Sequence, residues 1–194
     1  TSKGVLVCNF SGPSKPGKPA LMQHDEVVTF FHEFGHLLHH VLGGGQKWAR
    51  FSGVATEWDF VETPSQLFEE WAWDANVLRQ FASHFKTGER IPIELVAAMK
   101  AANEFNKGVE VRQQMFYAAM SLHYYEIDPK NLNLLDELKR LKKDYSPYPY
   151  LDNTHLYASF GHLDGYSAIY YTYMWSKVIA KDMFARFREH GLSN

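Results

Sequence analysis

The chain has 194 residues, 45% of them hydrophobic and 22% charged, which is typical of a globular protein with one domain-sized core. Its formal net charge of -2 creates no global field that would attract nucleic acid or an anionic membrane, so we exclude both as partners. Cys8 is the single cysteine, which excludes an internal disulfide and favours a reducing, cytoplasmic setting, and no apolar run reaches the roughly 18 residues of a membrane helix.

The first predicted element is a strand over residues 4–10 (GVLVCNF), which are mostly apolar and β-branched. Residues 11–20 contain three prolines and two glycines, and they predict a loop. The opening of the chain lacks the charged region and the long apolar stretch of a signal peptide. Because it resembles an internal strand, we expect the chain to be a piece of a longer protein.

Helical periodicity dominates the rest of the chain. His24 or Asp25 can cap the first helix, and three glycines after Leu42 end it. Pro64 leaves two alternatives in the second helix: either a new helix begins at Thr63 with a capping box, or an earlier helix is kinked at the proline. The predicted helices cover residues 25–42, 56–85, 92–106, 109–126, 131–143 and 166–190.

The first helix carries the sequence FFHEFGHLLHH at residues 30–40. His32 and His36 are four residues apart, so their imidazoles share one helical face and can bind one metal ion. Glu33 lies about 100° further round the helix, within reach of a metal-bound water but badly placed as a ligand. This H-E-x-x-H arrangement is that of zinc peptidases, whereas a lone buried histidine is usually a satisfied core residue.

A catalytic zinc site needs a third protein ligand and an open fourth position. His39 lies on the same face but two turns from His32, so it is a weaker candidate, and His40 points elsewhere. Glu62 is the leading candidate for the third ligand because its neighbours are apolar. A carboxylate in such surroundings costs free energy unless it is paired or bound to a metal. It belongs to the next predicted helix, which offers the carboxylates of Glu57, Asp59, Glu62, Glu69, Glu70 and Asp74.

Four of the other carboxylates have expected roles that support or surround such a site. Glu57 and Asp59 are candidates for holding a ligand imidazole by its other ring nitrogen. Glu69 and Glu70 are expected on a solvated face of the helix or in ion pairs.

Five segments resemble the thimet oligopeptidase family of zinc metallopeptidases: HDEVVTFFHEFGHLLHH, ARFSG, DFVETPSQLFEEW, FGHLDGY and YYTYMWSKVIAKDMF. The residue patterns predict a mainly α fold with a small β element near the N-terminus, and the resemblance implies that it is a helical, zincin-like metallopeptidase core. The resemblance implies a single catalytic-core domain over residues 1–194. It also implies one zinc ion per chain and a catalytic carboxylate from Glu33, with zinc bound by His32, His36 and Glu62.

The resemblance gives the late aromatic residues a role as well. The family's substrate-binding and catalytic residues fall on His162, Tyr166, Tyr170 and Tyr173. Tyr166 and His162 are expected to bind substrate, and His162, Tyr170 and Tyr173 are expected to be catalytic. The i, i+4, i+7 spacing of the tyrosines places their phenols on one helical stripe, with Tyr171 off it. The alternative is a core stripe of aromatic residues, although buried phenols need hydrogen-bond partners. His155 is a further, weaker candidate.

These assignments predict zinc-dependent hydrolysis of peptide bonds in short, unstructured peptides, with Glu33 activating the zinc-bound water and a phenol stabilising the oxyanion. Three alternatives stay open: a zinc-binding core that is idle without a missing half, a helical interaction module without metal, and a zinc hydrolase that acts on another substrate. Apolar surface left by a missing half would also allow the chain to self-associate.

Overall fold

The computed structural model describes residues 3–192, and these residues form eight α-helices joined by loops and by three short 3₁₀ turns. The prediction of a mainly α fold is confirmed. Within the described part of the chain, no helix has the length and apolar character needed to cross a membrane. The helices are α1 (His24–Leu42), α2 (Thr63–Glu69), α3 (Ala75–Phe81), α4 (Ile93–Glu104), α5 (Lys107–Glu126), α6 (Leu134–Tyr145), α7 (His162–Gly165) and α8 (Thr172–His190).

The predicted strand over residues 4–10 is wrong, since no residue between 3 and 192 lies in a β-strand. A β-strand needs a neighbouring strand to pair its backbone hydrogen bonds. The β-branched residues of this segment favour an extended backbone but do not provide such a neighbour. The segment lies beside α1 instead, where the His40 Nε2 donates to the Lys3 carbonyl oxygen at 3.0 Å. Val5 and Val7 remain 86% and 79% exposed.

The chain divides into two compact units. The first unit holds the described residues up to 103 and those from 176 onward, and the second unit holds residues 104–175. Helices α1 to α3 lie in the first unit and α5 to α7 in the second, and α8 begins in the second unit and continues in the first. The single catalytic-core domain expected from the sequence stays a prediction.

In the first unit, α1 and α2 approach each other closely at Gly35. A Cβ atom at this glycine would lie 2.6 Å from the Ser65 Cα and 2.8 Å from the Pro64 carbonyl oxygen. Both are backbone atoms of α2 that cannot rotate away as a side chain can. An aromatic row continues the packing from Phe34 to Phe68 and on to Trp71, with ring centroids 6.2 and 5.2 Å apart. Only a residue without a side chain allows this approach.

The long second helix predicted over residues 56–85 is broken into shorter elements. Of the two alternatives for Pro64, the new helix is confirmed, because α2 begins at Thr63 with the proline in its first turn. The predicted capping box is wrong, since the N-cap is Glu62 and no side chain caps the helix. Asp74 separates α3 from the elements before it. Its carboxylate caps α3 by accepting hydrogen bonds from the backbone N–H groups of Asn76 and Val77.

Helix α1 starts one residue earlier than predicted. Its N-cap is Gln23, rather than His24 or Asp25. The backbone N–H of Gln23 donates to the Glu26 carboxylate at 2.7 Å, which satisfies a group that the helix leaves unpaired. The predicted end is confirmed, with Gly43 as the C-cap.

The second unit is built on α5 and α6, which pack their apolar faces together. The core residues are Phe116, Ala119, Met120, Tyr124, Leu138 and Leu141. The long final helix predicted over residues 166–190 is wrong at its start, because α8 begins at Thr172. A turn separates it from α7, and Ser167 in that turn has a φ of 50°, a left-handed conformation that a helix does not contain.

Candidate metal centre and aromatic cluster

Three side chains of the first unit converge between α1 and α2 to form a candidate metal cluster of His32, His36 and Glu62. The Glu62 Oε2 lies 3.1 Å from the His32 Nε2 and 3.2 Å from the His36 Nε2. One ligand atom from each residue lies within 4.8 Å of the others. Glu62 is 1% exposed, and two imidazoles with a buried carboxylate are a donor set of catalytic zinc sites. The residues therefore fit a zinc ion.

The local structure explains how the cluster assembles. The two histidines are one turn apart on α1, and their ring centroids are 5.0 Å apart. The close approach at Gly35 brings the start of α2, and with it Glu62, beside them. The buried Ser65 hydroxyl lies 3.0 Å from the Glu62 Oε2 and 2.9 Å from the Glu62 backbone oxygen, which fixes the direction of the carboxylate.

Glu69 holds the other side of the His32 ring. Its Oε1 lies 2.7 Å from the His32 Nδ1, the nitrogen that faces away from Glu62. Burial lowers the pKa of His32, but hydrogen bonds to Glu62 and Glu69 outweigh this effect and raise the pKa to about 9. A carboxylate on the second ring nitrogen orients a metal-binding imidazole and raises its basicity.

The ion pair expected for Glu69 is present, but sequence reasoning did not identify His32 as its partner. The sequence assigned the support of an imidazole to Glu57 or Asp59 and placed Glu69 on a solvated face or in an ion pair. An available signal was its spacing, since Glu69 follows Glu62 by seven residues, two helical turns further along the same face. The expected ion pair of Glu70 is present, with Lys181 of α8.

Glu33 lies on α1 between the two histidines and faces a groove of about 490 Å³. His36, Leu37 and Val54 share this groove, and residues 3–7 form its other side. The segment that lines the groove is followed by Cys8, and burial first and the charge of Glu33 second raise the pKa of the Cys8 thiol. A carboxylate beside the metal cluster is thus open to a ligand in the groove.

The other histidines of the motif do not join the metal cluster. The His39 ring packs edge-on against Phe60, with centroids 6.4 Å apart, and burial lowers its pKa. His40 binds the Lys3 carbonyl, as described above. Its ring also fills the space at Gly53, where a Cβ atom would lie 2.4 Å from the His40 Nδ1.

The second unit holds an aromatic cluster, defined by the residues His162, Tyr166, Tyr170 and Tyr173. The His162 ring centroid lies 5.5, 5.1 and 5.7 Å from those of the three tyrosines in chain order. Tyr170 and Tyr173 are 4.9 Å apart. The four residues named from the sequence do lie close together. They are contributed by α7, the following turn and α8, however, and not by one helix.

Tyr171 and His155 lie outside the aromatic cluster, whereas Tyr170 is a buried member of it. Tyr171 is 42% exposed. His155 contacts Tyr157 instead, with its Nδ1 3.0 Å from the phenol oxygen. Tyr170 is 7% exposed, and burial first and Tyr117 second raise the pKa of its phenol to about 12. Its hydroxyl donates to the Gln114 Oε1 at 3.2 Å, so this buried phenol has the partner it needs.

Comparison with known proteins covers the whole chain. The sequence model described as "Peptidase family M3" matches residues 1–194. The chain is 40% identical over 188 residues to "Saccharolysin" of Saccharomyces cerevisiae, an alignment that covers 93% of this chain and 26% of that protein. It is 39% identical to "Oligopeptidase A" of Escherichia coli, which covers 97% of this chain and 28% of that protein.

A third relative carries a different name. The chain is 36% identical to "Dipeptidyl carboxypeptidase" of Escherichia coli over 191 residues, covering 95% of this chain and 28% of that protein. The chain thus spans between a quarter and a third of the length of these relatives. Together with the family match over residues 1–194, these likenesses confirm the resemblance that the motifs indicated, and the chain belongs to peptidase family M3.

Proposed function

We propose that this chain is the catalytic core of a zinc metallopeptidase that hydrolyses peptide bonds in short oligopeptides. The observation that carries the proposal is the buried Glu62 carboxylate, held within 3.2 Å of the Nε2 atoms of both motif histidines. Membership of family M3 and the names of the relatives support a peptide substrate. One zinc ion per chain is held by His32, His36 and Glu62.

Glu33 is the proton carrier of the reaction. When bound to its three ligands, zinc supplies a Lewis acid that polarises the scissile carbonyl and makes water more acidic. The Glu33 carboxylate takes a proton from the attacking water and passes it to the leaving amine. Its place on the groove beside His36 supports this role. The substrate lies in the same groove, where the unpaired backbone of residues 4–7 can bind an extended peptide.

The aromatic cluster binds the substrate and stabilises the transition state. His162 and Tyr166 hydrogen-bond the substrate, and Tyr170 or Tyr173 donates to the developing oxyanion. Such a donor contributes roughly 10² to 10³ in rate. Burial raises the pKa of the Tyr170 phenol, which is protonated at neutral pH as a phenol of ordinary pKa also is. Since its single hydroxyl hydrogen is donated to Gln114, Tyr170 must break that bond before it can donate to an oxyanion.

The test compares three proteins: the unsubstituted chain, its Glu33→Gln variant and a control variant, Glu94→Gln. Glu94 is an exposed residue of α4. Zinc content is measured after dialysis against a metal buffer, and cleavage is measured with a quenched fluorescent peptide of about ten residues, a length suited to the short peptides that we propose as substrates. We expect zinc near one per chain in all three proteins. Cleavage should fall by several orders of magnitude in Glu33→Gln alone, because the proton carrier is lost.

Other outcomes separate the competing functions. Zinc without cleavage in the unsubstituted chain indicates a metal-binding core that needs further residues for catalysis. This is the second candidate function, because the chain covers only about a quarter of the length of its relatives. Near-normal cleavage by Glu33→Gln contradicts the mechanism. Absence of zinc contradicts the metal site. The cytoplasmic location stays a prediction.

A further inference from the structure

We infer that Ser121 of α5 is a positioning residue for the aromatic cluster, an inference that rests on the proposed function for its catalytic consequence. Ser121 is 1% exposed, and its hydroxyl contacts both ends of the turn between α7 and α8. It donates to the Ser167 carbonyl oxygen and accepts the backbone N–H of Tyr170 at 3.3 Å. One buried hydroxyl therefore pairs two backbone groups that would otherwise lack these partners.

The turn contains a strained residue, although the Ile169 backbone N–H donates to the Tyr166 carbonyl oxygen across it at 2.9 Å. Ser167 has a φ of 50°, a left-handed conformation that costs a residue with a side chain about 1–2 kcal/mol. The buried Tyr170 follows Ser167 by three residues and lies just before α8 begins at Thr172. If the turn opened, Tyr170 would move relative to His162 and Tyr166, which precede it, and the ring contacts of the aromatic cluster would be lost.

Two further residues on the same face of α5 form hydrogen bonds to residues on either side of Ser167. The Tyr125 hydroxyl, one helical turn beyond Ser121, donates to the Leu163 carbonyl oxygen in α7. Gln114, two turns before Ser121, accepts the Tyr170 hydroxyl at 3.2 Å. Residues 114, 121 and 125 recur at the i, i+7, i+11 spacing of one helical face. Ser121 is the central member, and its contacts are to the backbone, so it fixes where the tyrosines lie rather than what they bind.

The functional consequence follows from the geometric demands of catalysis. A displacement of about 1 Å in a reacting group can reduce a rate by roughly 100-fold. Loss of the Ser121 hydroxyl should therefore lower kcat, because the phenols are misplaced at the transition state. KM should change little, because the groove of the first unit is untouched and the substrate-binding His162 and Tyr166 precede the turn that Ser121 supports. A purely structural role would lower stability without this selective loss.

The test compares Ser121→Ala with Tyr124→Phe, which removes another buried hydroxyl of α5, one that donates to the Leu134 carbonyl oxygen at 2.8 Å. Amide hydrogen exchange is measured by NMR on the full chain. We expect the Tyr170 amide to exchange roughly tenfold faster in Ser121→Ala, as expected for loss of one hydrogen bond, and to be unchanged in Tyr124→Phe. Equal protection of Tyr170 in Ser121→Ala, or an equal loss of protection at Leu138 and Leu141 of α6, would overturn the inference.

A kinetic measurement on the zinc-loaded chain completes the test. Ser121→Ala should lower kcat by roughly tenfold with KM and zinc content within about twofold of the unsubstituted values, an order of magnitude set by the cost of misplaced groups. The same substitution should have no further effect when Tyr170 and Tyr173 are both already phenylalanine, because the groups it positions are absent. A full additional loss in that background would contradict the positioning role. An unsubstituted chain that does not cleave contradicts the proposed function, while the exchange of the Tyr170 amide still decides whether Ser121 holds the turn.

Discussion

The metal cluster of the first unit and the aromatic cluster of the second unit gather side chains by different means. In the metal cluster, two ligands stand one turn apart on an uninterrupted helix, and the third arrives through the close contact at Gly35. In the aromatic cluster, a turn with a positive φ at Ser167 separates the contributing residues. A helix repeats every 3.6 residues, so spacing alone orients its side chains, whereas a turn has no such repeat.

The difference shows which part of each cluster is vulnerable. The metal cluster depends on how closely two rigid helices approach, so a small increase in volume between them should disrupt it. The aromatic cluster depends on a few hydrogen bonds to backbone atoms, so loss of one hydroxyl should loosen it locally. Substitutions aimed at each feature test this contrast.

Gly35→Ala should have the largest effect. The added methyl would meet backbone atoms of α2 at 2.6 and 2.8 Å, so the helices must separate. Overpacking of this kind costs about 1–3 kcal/mol of unfolding free energy. Separation also moves Glu62 away from the two imidazoles, which should weaken zinc binding. Urea denaturation and competition for zinc with a chelator measure the two effects.

Gly108→Ala is the matched control, because a Cβ atom at this helical glycine of α5 meets nothing within 4 Å. It should stabilise the chain by up to about 1 kcal/mol, since alanine restricts the unfolded backbone more than glycine does. If Gly35→Ala retained the unsubstituted stability and zinc affinity, the close contact would not set the position of Glu62.

The same contrast explains how much of the molecule could be predicted from its sequence. The helices α1 and α4 to α6, which all follow the regular 3.6-residue repeat, were predicted within three residues at either end. The pairing of His32 with His36 follows directly from that regularity. The strand at residues 4–10 and the single helix from residue 166 were wrong, because local propensity contains neither the missing strand partner nor the hydrogen bonds from α5 that favour a turn.

The supporting residues were harder to predict than the ligands. Glu62 could be favoured from its apolar neighbours and from family resemblance. The contact from Glu69 to His32 depends on how far α2 rotates against α1, which no local pattern states. Ser121 lies 46 residues from Ser167, and a serine within a helix gives no signal of a distant backbone partner.

Glu69→Gln should have an intermediate effect, confined to the metal cluster. Glutamine keeps the shape of the side chain but removes the charge that orients the His32 ring. Removal of such a supporting group typically weakens metal binding by about 10- to 100-fold. Competition for zinc with a calibrated chelator measures the change in affinity.

Glu70→Gln is the matched control for that substitution, because the neighbouring carboxylate pairs with Lys181 rather than with a histidine. Its zinc affinity should stay within about twofold of the unsubstituted chain, since removing one partly exposed ion pair changes little else. Equal zinc affinities for Glu69→Gln and the unsubstituted chain would show that the 2.7 Å contact does not support the metal cluster.

Ser167→Gly should have the smallest effect and the opposite sign. Glycine removes the cost of the left-handed conformation, about 1–2 kcal/mol, but adds backbone entropy worth about 0.5–1 kcal/mol to the unfolded chain. A net gain of about 0.5 kcal/mol in unfolding free energy is expected, measured by urea denaturation. Asn106→Gly is the control, because Asn106 has a similar φ of 59° but asparagine tolerates it better, so its gain should be smaller. A loss of stability in Ser167→Gly would mean that the serine side chain itself stabilises the turn, and that α5 is not its main support.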